Sequence, residues 1–178
     1  MNIFTPIKGI LFDLEGVLYI GPKAIEGAIE AVEKIRAIGM LCRFVTNTST
    51  LSLISLQHKI NALGFSIPID EIFSAPQATI LYFKNQQNPI CHLLLADDAK
   101  KDFKNFHLSD TKANHIVVGD IGSAWSYTLL NEIFNSLMEG ANLIAIHKKT
   151  NSGKLNMDYK WILVVSLIAL SMQVASKQ

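Results

Sequence analysis

The sequence predicts an α/β protein built on parallel sheet, and three observations carry that prediction. Short apolar runs of strand type at Ile10–Phe12, Leu41–Val45, Ile90–Ala96, Ile116–Val118 and Leu143–Ile146 alternate with stretches of helical periodicity, the pattern of strands joined by helical crossovers. The first run ends abruptly in two acids and a glycine, Asp13-Leu-Glu-Gly16, and ligands in open α/β sheets collect at the carboxyl ends of strands. A chain of 178 residues that is 49% hydrophobic and 17% charged can bury a substantial core in one domain or two small ones.

Ile10–Phe12 reads as a buried strand with Asp13 at its carboxyl end. The alternation Asp13, Leu14, Glu15 puts both carboxylates on the same side of the chain as it leaves the strand, and Gly16 lets the backbone turn. Two acids so placed can hold a divalent cation or do nucleophilic and acid/base work on a phosphate; the alternative is a strand followed by a polar turn. Ile25, Ala28, Ile29, Val32 and Ile35 then describe an amphipathic helix that stops at Gly39, with Glu26, Glu30, Glu33 and Lys34 on its solvated face.

Leu41–Val45 is the second buried strand. Thr46 and Asn47 stand at its carboxyl end, beside the end of the first strand if the crossover is right-handed; taken alone they are turn and capping residues. Residues 48–50 can cap a helix with Leu53, Leu56, Ile60 and Leu63 on one face and Gly64 at its end. From about Ser74 a second α/β unit is predicted: a helix over Ala75–Lys84, a turn at Asn88-Pro89, the three later strands, and a helix across Tyr127, Leu130, Phe134 and Leu137.

Asp13 to Tyr19 after its strand resembles motif I of the haloacid dehalogenase-like hydrolases, and Phe44-Val-Thr-Asn-Thr-Ser-Thr50 resembles their motif II. Ile72-Phe-Ser74, Leu94-Leu-Ala-Asp-Asp98 and Leu143-Ile-Ala-Ile-His-Lys148 are similar to the subgroup of phospholysine phosphohistidine inorganic pyrophosphate phosphatases and NagD-type relatives. The resemblance implies a partial Rossmann-like parallel-sheet core over 1–73 and an inserted α/β cap over 74–178. It implies Asp13 as nucleophile and metal ligand, Glu15 as acid/base and second metal ligand, and Thr46 and Asn47 as phosphoryl-binding residues. Mg²⁺ is the implied cofactor, and a small phosphorylated molecule or pyrophosphate the implied substrate. A homo-oligomer formed through the cap is compatible with it. Glu15 stands where most of the family has a second Asp, although the subgroup it resembles often lacks that Asp. The family's Gly-Lys-Pro motif III and acidic motif IV are not found, so a truncated phosphatase of low or no activity alone is expected, with a non-catalytic, phosphate-binding remnant as the alternative. Asp97-Asp98 and Gly119-Asp120 imitate motif IV but fall upstream of its place, in segments that align with the cap.

Other classes are disfavoured. Sixteen basic against fifteen acidic residues leave no electrostatic footprint for nucleic acid. Cys42 and Cys91 have no CxxC or Cys/His spacing and read as buried, reduced thiols of a cytoplasmic protein. Met1–Pro6 is neither basic nor followed by a cleavable apolar region, so no signal peptide is expected. His58, His92, His107, His115 and His147 show no zinc spacing; His147 opens a basic stretch to Lys154 that could serve as a specificity loop or a plain connection. Trp161–Ala175 is apolar but shorter than the about 20 residues of a membrane span. It reads as a buried cap helix, with a tail anchor as the alternative.

Overall fold

The structure, a computed structural model, describes residues 7–146; the His147–Lys154 stretch, the apolar segment Trp161–Ala175 and Met1–Pro6 lie outside them. The chain divides into two compact units. Of the described residues, the first contains 7–47 together with Leu53–Ser74, and the second Thr48–Ser52 with 75–146.

In the first unit, β1 (Gly9–Asp13), β4 (Leu41–Thr46) and β5 (Ile72–Ser74) form a parallel sheet in the order β1-β4-β5. Two helices connect these strands, α1 (Ala28–Ala37) and α2 (Leu53–Ala62). Val32 of α1 and Leu56 and Ile60 of α2 are buried, as their spacing predicts. α2 starts at Leu53, later than a cap at 48–50 would place it. Between β1 and α1 the chain makes a small antiparallel hairpin, β2 (Tyr19–Ile20) with β3 (Lys23–Ala24). Arg36 of α1 pairs with Glu71 just before β5 and lies over the Phe44 ring of β4, 5.6 Å from its centroid. That contact ties one helix to two strands.

The sheet of the first unit differs from the sequence expectation in one respect. Strands of a parallel sheet are normally covered on both faces, and β1 and β4 were read as buried. On β4, Cys42, Phe44 and Thr46 are buried while Leu41, Arg43 and Val45 are exposed, and Leu11 of β1 is 74% exposed. Among the described residues this sheet is packed on one face.

The second unit carries a four-stranded parallel sheet in the order β7-β6-β8-β9, from β6 (Ile90–Leu94), β7 (His107–Leu108), β8 (His115–Val118) and β9 (Asn142–Ala145). Its helices are α3 (Ala75–Phe83), the short α4 (Asp97–Lys100) and α5 (Tyr127–Met138). Successive residues of β6 and β8 point to opposite faces and feed two cores. Cys91, Leu93 and Val117 pack with Phe83 and Phe103, whereas Leu94, Ile116 and Val118 pack with Ile133 and Leu137 of α5. Ser126 caps α5, its hydroxyl accepting the Leu129 N–H at 3.1 Å, the arrangement that satisfies a first-turn amide. Cys42 and Cys91 are free and buried, and burial pushes the Cys91 thiol up to about 11.

Candidate active site

Pairing between β1 and β4 brings the sequence-predicted residues to one edge of the first unit. The register sets Asp13 opposite Val45, so Thr46 and Asn47 continue β4 just past the point where Asp13 ends β1. Strands about 4.8 Å apart therefore present an acid, a hydroxyl and an amide at neighbouring carboxyl ends. Thr46 is 5% exposed, and Asn47 is exposed.

Asp13 holds its own backbone turn, its Oδ1 accepting the Leu14 N–H at 2.8 Å. Leu14 is fully buried, and its carbonyl accepts the N–H groups of Val17, Leu18 and Tyr19. Gly16, at φ +90°, permits the reversal and donates its N–H to the Tyr19 carbonyl at 2.7 Å. The loop after β1 is thus wound tightly by its own amides, and Glu15 leaves it pointing to other partners. Glu15 Oε1 accepts the Gly21 N–H at 2.8 Å, and Oε2 lies 3.3 Å from Lys59 Nζ on α2. Lys59 in turn lies over the Tyr19 ring, 4.4 Å from its centroid. Burial pushes the Tyr19 phenol above its usual 10.0, with Lys59 acting in the opposite direction.

The two carboxylates therefore have different surroundings. No group of three or more His, Cys, Asp or Glu side chains converges on a metal position among the described residues, and Glu15 already has a cation. Lys59 is the residue that sequence reading missed; its only signal is that it sits beside Ile60 at the rim of the buried stripe of α2.

The other acid pairs have local duties. Asp98 Oδ2 accepts the Ser52 N–H at 2.7 Å and its Oδ1 pairs with Lys101 at 2.6 Å. Asp97 pairs with Lys100 at 2.9 Å, and Asp120 Oδ1 accepts the Gly122 N–H at 2.8 Å. Leu93 and Leu94 at the end of β6, with Asp97, Lys100 and Asp120, line a cavity of about 500 Å³ in the second unit. His115 is buried, its Nδ1 2.7 Å from Asn114 Oδ1 and its ring edge-on to Phe83.

The first unit thus places an acid at the end of its first strand and a hydroxyl and an amide at the end of the neighbouring one. Residues 10–109 match the haloacid dehalogenase-like hydrolase family, and the chain belongs to it. It is 41% identical over 143 residues to haloacid dehalogenase-like hydrolase domain-containing protein 2 of Bos taurus, covering 80% of this chain and 54% of that protein. Over 143 residues it is 34% identical to the phospholysine phosphohistidine inorganic pyrophosphate phosphatase of Danio rerio, covering 78% and 52%. The chain thus spans about half the length of the curated relatives it matches. Its fold is that of NagD from E. coli K-12, with a TM-score of 0.79 at 19% identity over 94% of this chain and 67% of that one. The glycerol phosphate phosphatase of Mycobacterium tuberculosis, solved in complex with magnesium, aligns with a TM-score of 0.69 at 17% identity, covering 90% and 51%.

Proposed function

We propose that this chain carries the nucleophile and phosphoryl-binding half of a phosphatase that works through an aspartyl-phosphate. The observation that carries the proposal is the β1/β4 register, which sets Asp13 beside Thr46 and Asn47. A carboxylate at neutral pH is ionised and nucleophilic. An Asp13 oxygen would attack phosphorus and form the acyl-phosphate bond as the bond to the leaving group breaks. The Thr46 hydroxyl and the Asn47 amide would donate hydrogen bonds to the transferring oxygens, where charge develops. Glu15, at the acid/base position, would give a proton to the leaving group and then take one from the water that hydrolyses the intermediate. To do so it must leave the Lys59 and Gly21 contacts that now hold it.

The substrate class is a small phosphorylated molecule or pyrophosphate, as the names of the relatives suggest. Mg²⁺ belongs to the same proposal, supported by the magnesium complex of the Mycobacterium tuberculosis phosphatase. Asp13 and Glu15 are the side chains that would hold it, and it would offset the charge on the transferring oxygens. In domain terms, 1–73 would be the N-terminal part of the hydrolase core and 74–178 the cap. No helix among the described residues is long and apolar enough to cross a membrane, and the two buried, unpaired thiols suit a reducing cytoplasm.

Hydrolysis of p-nitrophenyl phosphate and of pyrophosphate tests the proposal. A polypeptide of residues 1–178 should turn over near background, because no Gly-Lys-Pro motif III or acidic motif IV is found in it and losing a single preorganised group of that kind costs about 10²–10³ in rate. In any longer polypeptide that is active, Asp13→Asn should abolish turnover with the thermal unfolding midpoint unchanged. Turnover kept within about threefold would remove Asp13 from the nucleophile role.

A further inference from the structure

We infer that Lys59 is a positioning residue of this site, clamping Glu15 and the loop behind Asp13 onto α2. The inference rests on reading Asp13 and Glu15 as the reacting carboxylates. Three contacts converge within the first unit. Glu15 uses both carboxylate oxygens, one on the Gly21 amide at 2.8 Å and one on Lys59 at 3.3 Å. Lys59 adds a second contact of a different kind, its ammonium 4.4 Å from the centroid of the Tyr19 ring. The Tyr19 side chain is 1% exposed and cannot swing away, so it forms a fixed seat for the cation.

An exposed ion pair is normally weak, since two long side chains must be ordered for a Coulombic gain that water screens. Here the ordering is shared. The aromatic face orients Lys59 whether or not Glu15 is present, and the Gly21 amide orients Glu15 whether or not Lys59 is present. Each partner therefore loses less freedom on pairing than it would on an open helix face. Gly21 is at φ +57°, a backbone position that glycine adopts without strain, and it turns the β2–β3 hairpin back toward Glu15. The clamp thereby reaches from α2 through Glu15 to a hairpin whose first strand begins six residues after Asp13. It fixes the carboxylate that the proposed reaction would have to move.

Amide hydrogen exchange at Gly21, read by NMR on the 1–178 polypeptide, tests the clamp without any turnover. Lys59→Met keeps the aliphatic stem on Tyr19 and removes the charge, and Gly21 exchange should rise about two- to fivefold, the scale of a partly exposed ion pair. Lys59→Arg should bring it back to within twofold of the parent. In a Glu15→Gln background, where the amide oxygen can still accept from Gly21, Lys59→Met should add nothing further. A merely structural Lys59, acting through its stem, would give equal effects in both backgrounds. That additivity, or unchanged Gly21 exchange in Lys59→Met, would overturn the assignment. Because exchange is read without substrate, its outcome is independent of the Asp13→Asn result that decides the phosphatase proposal.

Discussion

The two sheets differ in how they are covered. The second unit's sheet has a core on each face, with Leu93 and Val117 facing one cluster and Leu94 and Ile116 facing the other. Among the described residues, the first unit's sheet is packed through Cys42, Phe44 and Ile72, while its other face shows Leu11, Leu41, Val45 and Phe73, 74%, 65%, 38% and 41% exposed. Chemistry-bearing residues lie at the end of the half-covered sheet. The comparison separates two tasks: in the second unit alternate strand residues supply stability to two layers, and in the first the carboxyl ends present polar groups while one layer does the packing.

From that contrast, the largest stability loss should come from the doubly covered sheet. Ile116 is fully buried between β6 and α5, and Ile116→Ala should cost about 2–5 kcal/mol through lost burial and the cavity left behind. Urea unfolding with an unchanged slope checks it; a loss below about 1 kcal/mol would mean that this core is loosely packed.

A smaller effect should appear with pH. Burial holds the His115 imidazole below its usual 6.5, so the unfolded chain binds the proton more tightly than the folded one. Stability from this group is complete above the unfolded value of about 6.5 and falls as pH drops below it toward the folded value. The urea midpoint should decline from pH 7 to about 5, and His115→Gln should flatten that decline. An equal slope in the variant would assign the pH dependence to other groups.

The smallest effect should come from the open face. Leu11→Thr removes an exposed apolar group from a strand position that Thr tolerates, and should change stability by no more than about 0.5 kcal/mol while reducing self-association in sedimentation. A loss comparable to that of Ile116→Ala would show that Leu11 is covered in solution, and the contrast between the sheets would fail.

Much of this organisation was legible in the chain. The strands β1, β4, β6, β8 and β9 announce themselves as apolar runs, and α1 and α2 as stripes ending at Gly39 and Gly64, both of which sit at positive φ. Motif spacing placed Asp13 and Thr46-Asn47 on successive strands, and the register joins those strands side by side. The β2–β3 hairpin and β7 escaped notice because strands of two residues have no periodicity to read. The exposure of Leu11 escaped for another reason: an apolar strand residue looks the same whether its face is covered or open. The Glu15–Lys59 pair spans 44 residues, and no local rule relates a loop acid to a lysine on the second helix after it. The motif points to Glu15 as a reacting group, and its contacts to Gly21 and Lys59 are visible only in the fold.

The register of β1 against β4 also sets which changes of length the chain can absorb. Between Asp13 and Leu41 lie a loop, a hairpin and a helix, and extra residues in the loop connections can be taken up at the surface at little cost. Within Leu41–Thr46 a single inserted residue would exchange the two faces of every position on one side of it. Arg43 would turn into the layer that now holds Phe44, and Thr46 would leave the row it shares with Cys42 and Phe44. Lengthening is tolerated where the chain travels between sheet edges and forbidden where it counts out the site, so insertions and deletions among relatives should be distributed unevenly, crowding the connections and sparing these six residues.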